Sequence, residues 1–583
     1  MISSEILRRP AAPACDLGVE VHPVLRRVYE ARGLKSSADL DLSLDRLLPV
    51  SSLDGVDAAA QLLSAHRAAG RVLVIGDFDA DGATSTALVV RALRSMRFAH
   101  VDFLVPNRFR FGYGLTPEIV ALAAGRRPTL IVTVDNGVSS VAGVEAARGL
   151  GIPVLVTDHH LPGAVLPRAE IIVNPNLAAA RFASTALAGV GVAFYVIAAL
   201  AKFLAAEDFR VADLLDLVAL GTVADVVPLD RNNRILVAQG LRRIRAGRCV
   251  PGIRALLDSA GRDPERITAA DLGFAVAPRL NAAGRLTDMT VGIACLLAED
   301  PVEAQRLAGM LAKLNEERRE IERRMQLEAL DITSAARFDD AGGEALGLCL
   351  YDENWHQGVV GLVAGRIKDR LHRPVIAFAR AEDGSLRGSG RSVAGVNIRD
   401  ALDSIASRHP GLIDKFGGHA MAAGMSLPEA NLAAFKSAFA AEIALRTDPE
   451  SLAGVIHSDG ALSAGELCLD TARALRGAGP WGQGFPEPVF DGEFQIADSR
   501  IVGDRHLKMR LKAPDASIGS GSGSGGELID AIAFGYIGGG TEDPLVQSGA
   551  RIQLAYRLEI NEYRGNESVQ LNCQQVLALR TSL

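Results

Sequence analysis

Asp77, Asp79 and Asp81 stand in the run Gly76-Asp77-Phe78-Asp79-Ala80-Asp81-Gly82, at the end of the apolar stretch VLVIG. Three carboxylates this close repel one another, and a cation is the usual relief. A calcium-type surface loop is the bland alternative. It is disfavoured by the buried stretch in front of the motif and by the lack of a Glu at the twelfth loop position. Three further segments carry the same kinds of group: Asp135-Asn136-Gly137 after LIVTV, Asp158-His159-His160 after IPVLVT, and Asp225 after LLDLVALGT. Singly, each reads as a turn former or a surface histidine. Delivered together to one sheet edge, they describe a site for two divalent ions. Carboxylates mixed with imidazole suit Mn²⁺ best, with Mg²⁺ the second candidate because it prefers an all-oxygen octahedral shell. Two such ions about 3.5–4 Å apart, bridged by a carboxylate, activate water and stabilise in-line displacement at phosphorus. The chain has no Walker A loop, no GxSxG elbow and no Cys in a nucleophile's setting. Phosphoryl hydrolysis is therefore expected over motor activity or acyl transfer.

The elements that must position these groups are legible in the periodicity. Val72–Gly76, Val101–Val105, Leu130–Val134, Val154–Thr157 and Ile171–Val173 are short β-rich runs separated by helical segments such as Ala83–Met96 and Val141–Gly149. That alternation predicts a parallel sheet covered on both faces, with ligands beyond the carboxyl ends of its strands. From Ile293 to about Ala335 apolar residues recur every three or four positions against a charged face, which predicts one long helix joining two lobes. A second α/β segment spans about 346–445. Beyond Ser451 the period changes to two, in 506–513, 529–534, 551–560 and 568–576, which predicts a small antiparallel barrel or sandwich. Ser517–Gly526 is a Gly/Ser loop to which no function is attached.

Over 583 residues this is ordinary globular usage, with 48% hydrophobic and 22% charged residues and a formal net charge of −7. The negative total argues against bulk-charge binding of duplex DNA while leaving room for a locally basic groove. Six dispersed cysteines without a CxxC pair fit a reducing compartment, and a cytoplasmic location is expected. The first eighteen residues lack the apolar core of a secretory signal. Ala186–Ala201 is uncharged but short of the roughly 20 residues of a membrane span, so it is expected to be a buried helix.

The four acidic motifs, in this order and spacing, resemble the DHH phosphoesterase superfamily. Within it, the chain from about residue 50 onward resembles the bacterial single-stranded-DNA-specific 5′→3′ exonucleases. Pro106-Asn107-Arg108 with Gly112-Tyr113-Gly114, Pro278–Arg285 (PRLNAAGR), Phe416–His419 (FGGH) and Gly482–Phe490 (GQGFPEPVF) carry that narrower likeness. The fold it implies is an α/β parallel-sheet DHH domain, joined by a long helix to a second α/β (DHH-associated) domain and followed by an all-β OB-fold domain. The limits expected are 1–50 for an irregular lead-in, 51–292, 293–337 for the connecting helix, 338–448 and 449–583.

The resemblance further implies that Asp77, Asp79, Asp81, Asp135, His159 and Asp225 surround two divalent ions, with Asp135 bridging. Many superfamily members carry a His where this chain has Asp77. Asp158 would orient a ligand imidazole, and His160 would face the scissile phosphate. Gly417, Gly418 and His419 would hold a nucleotide phosphate, although Phe416 stands where the family often has Gly. Arg108, Arg279, Asn281, Ser389 and Arg391 are assigned to a 5′-phosphate pocket or its approach, since a terminal phosphate carries more charge than an internal one. Arg110 is the alternative to Arg108. Single-strand binding needs stacking surfaces, for which Tyr113, Trp481 and Phe485 are the candidates. Two basic clusters, Arg242/Arg243/Arg245/Arg248/Arg254 and Arg366/Lys368/Arg370/His372/Arg373, read either as solvated helix faces or as DNA contacts. The implied activity is release of 5′-mononucleotides from single-stranded DNA by a monomer, without membrane association, beside a single-strand-binding protein and a RecQ-type helicase. The rivals are an oligonucleotide or cyclic-dinucleotide phosphodiesterase of the same superfamily, and a non-catalytic DNA-binding relative.

Overall fold

The computed structural model describes all residues except 1–4, 11, 12, 14, 336–345, 448–451, 453, 504, 505, 513–527, 537–546, 564 and 580–583. The Ser517–Gly526 loop thus lies outside the described residues.

The five apolar runs form one sheet, with strands Arg71–Ile75, His100–Leu104, Leu130–Val134, Val154–Thr157 and Ile171–Val173 each within a residue or so of its expected place. All neighbours are parallel. The spatial order puts Arg71–Ile75 second, with His100–Leu104 on one side and Leu130–Val134 on the other. The chain therefore reverses its direction of travel between Arg71–Ile75 and Leu130–Val134. At such a switch point the connections diverge and leave a crevice at the carboxyl ends of the strands. Leu130–Val134 is buried along its whole length, as a strand covered on both faces must be. The uncharged segment folds as the buried helix Gly189–Phe203. Among the described residues no helix is long and apolar enough to cross a membrane.

The expected single connecting helix is two. Thr290–Leu297 ends before Ala298, and Pro301–Ala335 begins afresh. Proline has no N–H to continue the first ladder but fits the first turn of a new helix, where Asp300 accepts the free N–H of Val302. The second lobe is a mixed sheet, Leu348–Tyr351 and Val375–Arg380 parallel, then Ser385–Arg391, Ala422–Pro428 and Lys415–Gly418 antiparallel. The C-terminal strands Phe490–Val502, His506–Lys512, Leu528–Ala533, Arg551–Tyr563 and Asn566–Ala578 close into a five-stranded OB-like barrel. The lead-in is built into the body of the protein. Glu5–Arg8 pairs in parallel with Val455–Ser458, and Arg32 makes a buried bidentate pair with Asp459 at 2.7 and 3.0 Å.

Candidate metal centre

The acidic motifs converge because each follows an element that ends at the switch point. Asp77 and Asp79 lie just beyond Arg71–Ile75, and Asp79 caps the helix Ala80–Ser95 by accepting the N–H of Gly82 at 2.9 Å. Asp135 directly follows Leu130–Val134, and the Asn136 carboxamide donates to the Ile75 and Val134 carbonyls, tying the two diverging strands together. Asp81 accepts the Gly189 and Val190 N–H groups at 2.6 and 3.0 Å, so the positive end of the buried helix aims at the cluster. Asp225 caps the C-terminus of Leu215–Ala224, where a carboxylate faces the negative end of a helix.

Three overlapping groups of potential ligand atoms result: Asp77/Asp79/Asp135, Asp135/His159/His160 and Asp81/His159/Asp225, each within 4.8 Å. Asp135 and His159 belong to two groups apiece, the arrangement a bridged pair of ions needs. His159 Nε2 lies 3.1 Å from Asp135 Oδ1 and 3.4 Å from Asp225 Oδ2, yet Nε2 and Oδ1 are buried with no hydrogen-bond partner. Orphaned, electron-rich atoms facing one another at this range call for a cation.

The electrostatics agree. Burial, then the charges of neighbouring carboxylates, push Asp77, Asp135 and Asp225 well above the ordinary carboxylate range, and Asp81 up to about 7. Burial and the neighbouring His160 push His159 down to about 4, leaving it neutral with a lone pair. Divalent ions therefore fit this donor set. Close packing makes it possible: a Cβ on Gly189 would come within 2.6 Å of Asp135, and one on Gly221 within 2.7 Å of Asp81 Oδ1. The backbone is strained at two of these positions, Asp135 at φ 61° and Val226, directly after Asp225, at φ 60°. Positive φ is rare outside glycine and is an outlier for a β-branched residue.

Asp158 holds the ring of His160 rather than that of His159. Its carboxylate accepts from His160 Nδ1 at 2.8 Å and from the N–H groups of Val138, His159 and His160. Burial opposes its charge, but these hydrogen bonds prevail and keep the carboxyl below the usual range. The same pair lifts His160 to about 9 against the effect of burial. Tyr113, an exposed stacking candidate, donates to the Asp135 carbonyl at 3.2 Å and packs edge-on against His160. Across the cleft, the His419 ring of the second lobe lies parallel to His160 at 6.4 Å, beside the exposed Gly417 and Gly418.

The arginines divide. Arg108 lies 4.6 Å over the Phe78 ring beside Asp77 and Asp79, whereas Arg110 is exposed and lies over Phe111. Arg391 donates to Ser389 Oγ at 3.1 Å. Sequence reasoning missed Arg285, the last residue of PRLNAAGR. It reaches the second lobe, donating to the Gly358 carbonyl, and burial with the nearby Arg108, Arg391 and Arg318 pushes it down to about 10. Its place at the end of a motif already singled out was the available signal. Arg279 is turned elsewhere, donating to the Ala275 and Ser259 carbonyls and lying near Arg319 and Arg262. Asn281 accepts the Ala80 N–H at 2.8 Å, so it braces the GDFDADG loop. Phe485 is buried and so does not present a platform for bases, whereas Trp481 is half-buried. Phe485 is 5% exposed, and the two rings stack on each other and on Tyr29 of the lead-in.

A switch-point cluster of carboxylates and imidazoles, closed over by a second α/β lobe, defines a DHH-type phosphoesterase architecture. Residues 71–222 match the DHH family, N-terminal domain, 344–445 the DHHA1 domain and 458–575 the RecJ OB domain. The chain is 52% identical over 579 residues to the single-stranded-DNA-specific exonuclease RecJ of Escherichia coli (strain K12), covering 97% of this chain and 98% of that protein. It resembles the crystal structure of RecJ from Thermus thermophilus in complex with Mn²⁺ at a TM-score of 0.80 and 31% identity, over 99% of this chain and 80% of that one. The Mg²⁺ complex of the same protein gives 0.75 and 30%, over 99% and 78%. The chain belongs to the RecJ family.

Proposed function

We propose that this chain is a divalent-metal-dependent 5′→3′ exonuclease that degrades single-stranded DNA to 5′-mononucleotides in DNA repair and recombination. The observation that supports the reading is a buried acidic cluster beside a convergence of arginines contributed by both lobes. Buried carboxylates with His159 occupy the sheet edge, and Arg108, Arg285 and Arg391 with Ser389 converge where the lobes meet. Asp77, Asp79, Asp81, Asp135, His159 and Asp225 would hold the ions. Bound divalent ions supply Lewis acidity toward the phosphodiester. With Asp158 fixing His160 through Nδ1, we assign Nε2–H, 3.4 Å from the Tyr113 hydroxyl, as donor to a phosphate oxygen in the cleft, opposite His419. The guanidiniums grip a terminal phosphate, whose extra charge and planar oxygen pairs they match better than an internal diester, and this sets the polarity.

The barrel supplies a strand-binding surface and makes single-stranded DNA the partner. By family resemblance we add a single-strand-binding protein and a RecQ-type helicase as partners, a monomeric state and a cytoplasmic location. The domain limits we favour are those set out above, with the lead-in counted as part of the body. The deciding experiment is Mn²⁺ titration with 5′-phosphorylated, 3′-labelled single-stranded DNA. Stepwise shortening from the 5′ end is expected. Cleavage confined to dinucleotides, or binding without cleavage, would overturn the reading.

A further inference from the structure

Away from the metal centre, a cavity of about 430 Å³ lies between the lead-in, the helix Arg231–Arg245 and the turn before the barrel. Its walls mix apolar side chains such as Leu40, Leu42, Pro480 and Phe485 with polar ones, His22 among them, and no residue of the acidic cluster lines it. Arg234 faces it. This residue is 7% exposed, its guanidinium carbon lies 4.3 Å over the Phe485 ring, and its Nε has no hydrogen-bond partner. Among the described residues no carboxylate pairs with it.

The same junction shows how this fold treats a buried arginine that is purely structural. Arg32 is satisfied on every side, by Asp459, the Val28 carbonyl and the Pro486 carbonyl. The acids nearest Arg234 are committed elsewhere. Asp39 accepts from the Lys35 and Ser36 N–H groups, and Asp230 accepts from Ser184 Oγ and the Asn233 N–H. Tyr29, also in the wall, donates its hydroxyl proton to the Ala478 carbonyl. Glu20 stays exposed at the rim, as does Arg242. A buried guanidinium Nε–H without an acceptor gains from an anion that meets it, and burial holds the Arg234 pKa below its ordinary value against the charges of Asp39, Tyr29 and Asp230.

We infer that this cavity is a binding site for a small oxyanion that takes hydrogen bonds from Arg234. The planar fork of a guanidinium matches two oxygens of a phosphate or carboxylate, and the volume suits a compact ligand. Because the walls come from three parts of the chain, an occupant ties the lead-in to the turn that leads into the barrel. The inference stands independently of the nuclease reading.

Trp481 is the reporter. It stacks on Phe485 at 5.1 Å, and the chain has only two tryptophans, so Trp355→Phe leaves it alone. Inorganic phosphate is titrated at constant ionic strength into the Mg²⁺-loaded full chain while Trp481 emission is followed, and acetate serves as a second probe. A saturable change is expected. Arg234→Gln should weaken the apparent affinity about tenfold or more. Leu40→Phe, which narrows the cavity and leaves the guanidinium in place, should do the same and decides the matter if Arg234→Gln does not fold. A response to both anions marks a general oxyanion site, and a response to phosphate alone marks a phosphate site. A flat titration, or unchanged affinity in the variants, overturns the inference.

Discussion

Gly189→Ala adds one methyl group to the protein at the point where the buried helix meets the metal centre. The added Cβ would sit 2.6 Å from both Cβ and Oδ1 of Asp135, whereas ordinary contact begins at 3.4 Å. One of the two must retreat by roughly 0.8 Å, and the helix is held from behind by a fully buried face. The backbone N–H that serves Asp81 is kept, and alanine is a better helix former than glycine. The stability cost is therefore that of modest overpacking, about 1–3 kcal/mol. Activity should suffer far more. Metal–oxygen bonds tolerate only about 0.2 Å of error, and misplacing a reacting constellation by about 1 Å costs on the order of 10²-fold. The assay is kcat/KM on 5′-phosphorylated single-stranded DNA across a Mn²⁺ titration, with thermal unfolding alongside. A fall of about 10²-fold, partly recovered at high Mn²⁺, is expected in a protein that still unfolds cooperatively. Unchanged kcat/KM and Mn²⁺ dependence would refute the placing of Asp135 at the heart of the site.

Asp135→Asn should lower kcat/KM by about 10³-fold or more, since several kcal/mol of charge stabilisation go with the shared ligand. In EDTA it should melt no lower than the parent, because one of several repelling carboxylates is gone, and a lower melting point would contradict that. Arg285→Met should lower the preference for 5′-phosphate over 5′-hydroxyl ends by about tenfold, measured as a ratio of initial rates. Phe485→Ala should cost about 3–5 kcal/mol of stability by opening the Tyr29/Trp481 stack while leaving the KM of the folded fraction unchanged. A raised KM would restore Phe485 as a base platform. Arg8→Ala tests a pH dependence. Burial raises Asp491, but hydrogen bonds from Arg8 and Ser458 prevail and hold its pKa below the ordinary value. A depressed carboxylate stabilises the fold above its unfolded pKa of about 3.9 and loses that contribution as pH falls through the folded value. Arg8 is largely exposed, so the variant's deficit should be about 1 kcal/mol at neutral pH. It should vanish in acid, as read from urea unfolding at several pH values.

The parallel sheet was legible because a strand buried on both faces is written as an unbroken β-rich run, and each acidic motif sits where such a run stops. Spacing along the chain could not say that Asp158 serves His160, since both histidines are within its reach and the choice depends on which ring turns toward the cleft. The burial of Phe485, one of the three stacking candidates, escaped the sequence for a related reason. Trp481 and Phe485 lie in a glycine-rich turn that reads as exposed, and only the return of residues 20–42 from the far end of the chain covers it. Arg279 and Arg285 are six residues apart on one helix, so they cannot share a face. The sequence ranks both as basic, and only the position of the second lobe selects Arg285. The break at Ala298–Asp300 was written in Pro301, although the surrounding helical period masked it.

The metal centre concentrates features that would destabilise any other part of the molecule: buried like charges, an acid at the negative end of a helix, and left-handed backbone at Asp135 and Val226. Strained residues of this kind cost about 1–3 kcal/mol each and persist only where the surroundings dictate them. Here the surroundings are the carboxyl end of the strand Leu130–Val134 for Asp135 and the C-terminus of the helix Leu215–Ala224 for Val226, so the strain is confined to residues that follow the regular elements. The same confinement accounts for the division of labour between lobes. Strand ends and helix termini together hold the carboxylates, which suits ions that tolerate little displacement. The guanidiniums we assign to the substrate's end come from both lobes, Arg108 and Arg285 from one and Arg391 from the other. An internal diester could satisfy one side of such a cleft, whereas a terminal phosphate has charge and free oxygens enough for both, so on the proposed reading the separation of the arginines into two lobes would distinguish an end from a middle.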